Sequence, residues 1–323
     1  MPKLPLIIDA DPGLGSAITT ALALCDPELD VLAVTACGGR TSGEQAFRNL
    51  QTVVSMIDPP RWPRLGFSSA PAAPRPDRPE LSGLLINDGA FGLGNCETIE
   101  ALPHAPTDSS KLLTELVREF PNELTILTLG PLTNLNQALE RFPEFLSGVR
   151  GLVSVGGALN GGGNVTAAAE FNVYADPEAA RNVLTSAATK TLVPLDTSAR
   201  CEMSLDQFDS LRVEQYSRLG QFLVKTVPYL FRESRTQLGR EGIVLPELVG
   251  LAAVSQPRLF DRGSMRIDIE TSGELTTGMT VFDRRGTERW QSNIDVLVDA
   301  DVVGIHDYVK RILRQSSLDG FSK

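Results

Sequence analysis

Short runs of aliphatic and β-branched residues alternate with helical periodicity along almost the whole chain. Leu4–Asp11, Leu29–Cys37, Leu124–Leu129, Gly151–Gly157 and Lys190–Asp196 read as strands bounded by Gly, Pro or Asp. Their near-continuous apolar character suits parallel strands covered on both faces. Between them, Ser16–Cys25, Gly43–Met56, Ser109–Phe120, Asn134–Phe142 and Pro177–Ser186 read as helices. The alternation predicts an α/β fold: a mostly parallel central sheet with helices on both faces. In such sheets the chemistry gathers outside the carboxyl ends of the strands.

The remaining pattern fills in around this frame. Asp58 to Arg78 is rich in Pro, Ala and Arg and reads as a surface loop. Ser204 to Leu245 is helical in pattern with Arg, Gln and Glu throughout, which predicts a helical cap over the site at about 204–245. After Pro257 the chain becomes strand-like at Met265–Glu270, Met279–Phe282 and Asn293–Val298, and a helix closes it near Val302–Gln315. Without repeats or low-complexity segments, residues 1–323 read as one domain carrying that cap.

Composition narrows the function classes. The 323 residues carry a formal net charge of −10, which argues against nucleic acid as a partner because phosphate binding needs clustered Lys and Arg. No apolar run reaches membrane-spanning length, and the N-terminus has no basic region or signal-peptide core, so a cytoplasmic protein is expected. Cys25, Cys37, Cys96 and Cys201 lack CxxC spacing and read as reduced, mostly buried thiols.

Candidate chemistry sits at the end of the first apolar run, where Asp9-Ala10-Asp11-Pro12-Gly13 meets the first helix. Two acids there either aim into a site or merely complement the helix dipole. Glu170-Phe171-Asn172, reached through the Gly-rich stretch that holds Asn164, places an acid and an amide where they would line a pocket. Arg40 ends the second strand and reads equally as a site residue or a solvated one. Glu247 reads equally as a ligand or a first-turn acid of the helix Leu248–Val254. Gly13-x-Gly15 after a strand suggests a dinucleotide loop, but Ile18 occupies the third glycine position and the preceding acids would repel a pyrophosphate.

Four segments in order resemble the inosine–uridine preferring nucleoside hydrolase family over essentially the whole chain. They are IIDADPGLGSAITTALAL, TLGPLTNL at Thr128–Leu135, GGGNVTAAAEFNVYADPEAA at Gly161–Ala180, and GELTTGMTVFD with NIDVLVDAD near the end. The resemblance implies hydrolysis of the N-glycosidic bond of a nucleoside or related N-riboside through an oxocarbenium-like sugar, a nucleoside-like ligand, and a homodimer or homotetramer. It implies a calcium ion holding water and ribose hydroxyls. Asp11 then matches the general base and a metal ligand, Asp9 its metal-site neighbour, and the Leu129 carbonyl a backbone ligand. Glu170 and Asn172 match ribose-binding residues, with Asn164 beside them and Phe171 between.

The departures from that pattern are as informative. Gly15 and Ser16 stand where the family has two more acids, one for the ribose diol and one for calcium. Arg40 replaces a usual Asn, Asp88 stands where a site His is common, and Pro246-Glu247 replaces a His-Asp pair of which the Asp is a metal ligand. Neither His104 nor His306 falls on a site position. These losses predict a metal-free or weakly metal-binding site in which Arg40 pairs with Asp11 or Glu247. They also keep open a protein that binds a sugar, nucleoside or phosphorylated ligand without turnover. Tyr229, Phe231 and Arg232 of the cap read as leaving-group contacts or, by helical spacing, as core. Trp62 and Trp290 carry no motif.

Overall fold

The computed structural model describes residues 2–68, 87–94, 96–98, 106–160, 162–213, 216–285 and 291–319; residues 69–78, His104, Gly161 and Trp290 lie outside them. The chain alternates β1 (Leu4–Ala10), α1 (Leu14–Cys25), β2 (Leu29–Ala36), α2 (Gly43–Ile57) and two short strands, β3 (Arg64–Phe67) and β4 (Thr107–Asp108). It continues through α3 (Ser109–Glu119), β5 (Thr125–Thr128), α4 (Thr133–Arg141), β6 (Gly151–Val155), α5 (Phe171–Ala175), α6 (Pro177–Thr185) and β7 (Lys190–Val193). The capping segment follows as α7 (Leu195–Ser198), β8 (Met203–Ser204), α8 (Leu205–Ser210), α9 (Arg218–Leu238) and β9 (Gly242–Ile243). The chain then ends with α10 (Pro246–Ser255), β10 (Phe260–Ile269), β11 (Thr280–Asp283), β12 (Ile294–Ala300) and α11 (Val302–Asp319).

Ten of these strands form one sheet in the order β11-β10-β12-β7-β6-β5-β1-β2-β3-β4. From β12 to β4 neighbouring strands run parallel, whereas β10 pairs antiparallel with both β12 and β11. The chain leaves β1 toward β2 on one side and later returns to place β5 on its other side. The loops leaving β1 and β5 therefore diverge to opposite faces, and this switch point opens a crevice at the strands' carboxyl ends. Register puts Asp9 beside Thr128 and Ala10 beside Ala36, so the residues that follow these strands share that crevice.

β1 explains why the strands read as apolar throughout. Leu6, Ile8 and Ala10 pack on one face with Ala17, Leu50, Phe222, Leu251 and Ile312, while Ile7 packs on the other with Leu113, Leu135 and Val183. Both faces are covered, so an alternating pattern would bury its polar residues in one of the two cores. Leu248 to Val254 are all buried, and α10 packs against α1 and β6, which carries the start of α10 to the start of α1.

Three expectations are corrected. The strand predicted through Asp196 ends at Val193, because Pro194 cannot continue the ladder and Leu195 opens α7. The strand predicted from Met265 begins at Phe260. The cap is not helical throughout: β8 and β9 pair at Met203–Ile243 and Ser204–Gly242 and tie its two ends together. No helix among the described residues is long and apolar enough to cross a membrane, and the four cysteines form no disulfide.

Candidate active site

A cavity of about 80 Å³ lies at the switch point, lined by Asp11, Gly15, Arg40, Asp88, Leu129, Val155, Gly156, Asn164, Glu170, Phe171, Asn172, Val193, Leu195, Leu230, Val244, Leu245, Pro246 and Glu247. Every site candidate from the sequence is among them except Asp9. That residue is fully buried behind the crevice, and its Oδ1 accepts from Thr35 Oγ1 and Asn134 Nδ2. Asp9 does not line the cavity: it sits on β1, on the side of the sheet that Ile7 faces, where its carboxylate is taken up by Thr35 and Asn134. Burial raises its carboxyl to about 7, partly offset by the Asn134 and Thr35 hydrogen bonds.

Asp11 follows the last residue of β1, with its carboxylate held between the two neighbouring loops. Ser16 Oγ donates to its Oδ1 at 3.4 Å, and the Arg40 backbone N–H donates to its Oδ2 at 3.2 Å. Burial pushes this carboxyl up to about 7. The Arg40 charge and N–H lower it, and the nearby Glu247 and Asp88 raise it again.

Arg40 lies at the centre of the acids, but its ion pair differs from the expected one. Its Nη1 stands 2.8 Å from Asp88 Oδ2, and Asp11 is met by its backbone instead of its guanidinium. The reason is local: Arg40 directly follows Gly39, whose backbone lies against the Asp11 carboxylate, so the side chain is thrown past Asp11 toward Asp88. Burial disfavours its charge, but Asp88, Glu247 and Asp11 together outweigh that and hold it protonated. Glu247 is raised by burial and lowered by Arg40.

Glu170 and Asn172 line the cavity, yet both also have structural work. Glu170 caps the first turn of α5: Oε1 accepts from Asn172 N at 3.0 Å, and Oε2 from Gly157 N at 2.9 Å and Val173 N at 3.2 Å. Burial raises it to about 7 against those three hydrogen bonds. Asn172 Nδ2 donates to the carbonyls of Leu129 and Val155 and so ties the ends of β5 and β6, which leaves its Oδ1 for a ligand. Asn164 Oδ1 accepts from Phe171 N at 2.9 Å and fixes the loop.

From the cap, Leu230 reaches the cavity. Tyr229 is buried in the core beneath Arg232, 4.5 Å above its ring, and Phe231 packs on Phe208. The core reading of Tyr229 and Phe231 is the better one. Sequence reasoning missed the apolar wall of Leu230, Val244 and Leu245. Val155, Gly156, Val193 and Leu195 were findable, since they end or follow β6 and β7 at the edge where such sites form.

Calcium would have to be held by Asp11, the Ser16 hydroxyl, the Leu129 carbonyl and Glu247. These donors fit it poorly. Both Asp11 oxygens already accept hydrogen bonds, the Leu129 carbonyl accepts from Asn172, and the Arg40 cation sits in the field of both acids. A hard cation taking about six to eight oxygens depends on anionic ligands that Gly15 and Ser16 no longer supply.

A doubly covered, mostly parallel sheet with carboxylates and amides converging at its switch point is an α/β fold with a site for a small polar ligand. The model of the inosine-uridine preferring nucleoside hydrolase family matches residues 6–307, and the chain belongs to that family. It is 33% identical over 319 residues to uridine nucleosidase 1 of Arabidopsis thaliana, covering 94% of this chain and 91% of that protein. It is 31% identical to the pyrimidine-specific ribonucleoside hydrolase RihA of Salmonella newport (strain SL254), covering 96% and 98%. Among solved structures, the plant nucleoside hydrolase PpNRh1 superposes with a TM-score of 0.84 at 28% identity, covering 97% of this chain and 99% of that one. The purine-preferring ribonucleoside hydrolase from Gardnerella vaginalis shares the fold, with a TM-score of 0.86 at 23% identity and coverage of 97% and 99%. The chain is thus a hydrolase acting on N-glycosyl bonds, and nothing in these likenesses favours a pocket that binds without turnover.

Proposed function

We propose that this chain hydrolyses pyrimidine ribonucleosides, uridine first, with Asp11 as general base and the Arg40 guanidinium in the electrostatic place of calcium. The observation that carries this is the cluster at the switch point: Asp11, Asp88 and Glu247 around one fixed cation. A base works best with a pKa near the working pH, and Asp11 at about 7 meets that condition. In this reading water attacks the anomeric carbon as its proton passes to an Asp11 oxygen. The glycosidic C–N bond breaks with its electron pair leaving on the base, and the surrounding carboxylates stabilise the positive sugar.

In this reading the apolar part of the lining, Leu230, Val244, Leu245 and Pro246, faces the base and offers it no proton. Bases that depart as stable anions are therefore favoured over those that need protonation, which agrees with the uridine and pyrimidine specificities in the two relatives' names. Homodimeric or homotetrameric assembly and a cytoplasmic location belong to the same reading, and light scattering of the purified protein tests the former.

The test is release of free base from uridine, cytidine and inosine, followed by chromatography. Uridine is expected to turn over fastest. Asp11→Asn should abolish release while leaving nucleoside-induced thermal stabilisation largely intact. Loss of both together, or release unaffected by the substitution, would refute the assignment of Asp11.

A further inference from the structure

Asn49 sits midway along α2 and is fully buried. Its Nδ2 donates to carbonyls from two separate loops, Pro12 O at 2.8 Å and Phe91 O at 2.7 Å. Its Oδ1 accepts from Gln45 Nε2, one turn back on the same helix, at 2.9 Å. Carbonyls only accept, so the two loop contacts use both N–H groups of the amide and fix which way round it sits.

The two loops are those that carry the acids of the site. Pro12 directly follows Asp11, and Phe91 lies three residues beyond Asp88. Residues 88–94 form a tight turn, in which Gly92 N donates to Gly89 O at 3.1 Å and Gly94 N to Asp88 O at 2.6 Å. Gly89, Gly92 and Gly94 hold φ of +87°, +85° and +60°, angles that glycine adopts at little cost. Among the described residues, two hydrogen bonds join this turn to distant parts of the chain: Arg40 to Asp88, and Asn49 to Phe91. The turn is closely seated. A Cβ on Gly13 would collide with the Asp88 carboxylate, just as one on Gly15 would stand 2.5 Å from Glu247 Oε2.

We propose that Asn49 is a positioning residue: by clamping the 88–94 turn to Pro12 it holds Asp88 on Arg40 and so fixes the guanidinium beside Asp11. This rests on the reading above, in which Arg40 is the working cation of the site. The Arg40 side chain is long and 27% exposed, so its head stays in place only while its counter-ion does. A displacement of about 1 Å in such a group lowers a rate about 100-fold. An Asn49 that merely satisfied two carbonyls would stabilise the fold without setting the rate.

The test measures kcat and KM for uridine, together with the unfolding midpoint, in the native enzyme, Asn49→Ala, Asp88→Asn and the double variant, at a temperature where each is folded. Asn49→Ala should lower kcat about 10- to 100-fold and change KM by about threefold at most. In the double variant kcat should stay within about twofold of Asp88→Asn alone, because the two residues act through one contact. A lower midpoint with kcat unchanged, or losses that multiply in the double variant, overturns the proposal. If Asn49→Ala does not fold, Gly92→Ala takes its place. Its Cβ would stand 2.8 Å from Asn49 Nδ2 and lift the turn with the amide still present. The same fall in kcat is expected there, and an unchanged kcat overturns the proposal equally. Crystal structures of the variants separate this proposal from the functional reading. The Arg40–Asp88 contact, 2.8 Å in the native protein, should open beyond about 4 Å, the limit of an ion pair, with Asp11 in place. If the native enzyme hydrolyses no nucleoside, the functional reading fails and this distance decides alone: an intact pair overturns the clamp.

Discussion

Replacing Arg40 with Met removes the one cation that the described residues place among Asp11, Asp88 and Glu247, and its effect should depend on pH. The Arg40–Asp88 contact is 2.8 Å, with side chains 27% and 6% exposed. At an effective dielectric of about 20, a charge pair near 4 Å contributes about 4 kcal/mol, and breaking a buried pair costs about 3–5 kcal/mol. The partial exposure of Arg40 brings the expected loss at pH 8 to about 2–4 kcal/mol. Asp11 already titrates near 7 when folded, against about 3.8 as an isolated group, and without Arg40 it moves higher still. A carboxyl raised in the fold contributes stability that is complete below its unfolded value and is lost as pH rises through its folded value. The variant should therefore lie close to the native protein at pH 5.5, within about 1 kcal/mol, and fall away toward pH 8. Urea unfolding at both pH values, read as midpoint shifts with an unchanged m, measures this. Equal losses at the two pH values would mean that Arg40 only fills space, and the electrostatic account of the site would be wrong.

Three further outcomes are expected. Chelator-stripped native protein should give no heat on titration with calcium up to millimolar concentrations, whereas Arg40→Met, freed of its internal cation, should bind the ion; tight binding by the native protein would refute the poor fit of the donor set. Uridine hydrolysis should rise about tenfold per pH unit below 7 and level off above it, as expected of a base ionising at about 7; a rate independent of pH from 5 to 8 would exclude Asp11. Gly39→Ala should displace the Asp11 carboxylate, which lies against the Gly39 Cα, and lower kcat about 100-fold with little change in the midpoint of unfolding. Full activity in that variant would mean that Asp11 need not be where the structure places it.

The order of elements was legible because the sheet is covered on both sides, so each strand is an unbroken apolar run ended by Gly, Pro or Asp. What escaped was decided by pairing. β3, β8 and β9 are too short to carry a period, and the opening of β10, Phe260-Asp261-Arg262-Gly263, is polar because it pairs at the antiparallel, more exposed end of the sheet. In the site, Asp11, Leu129, Glu170 and Asn172 were findable because they follow strands or open a helix. The capping role of Glu170 was overlooked, although an acid just before a short helix signals it. The Arg40–Asp88 pair could not be read: its partners are 48 residues apart, and nothing local in either segment points to the other.

The close approach of Glu247 to Gly15 also couples two distant positions. Both carboxylate oxygens of Glu247 lie within 2.6 Å of where a Cβ at position 15 would be, so a side chain at 15 is accepted only if the end of Glu247 swings away. The identity of residue 15 therefore sets the conformation of residue 247 on another helix, and a motif scored one residue at a time records a loss at 15 without the rearrangement that accompanies it.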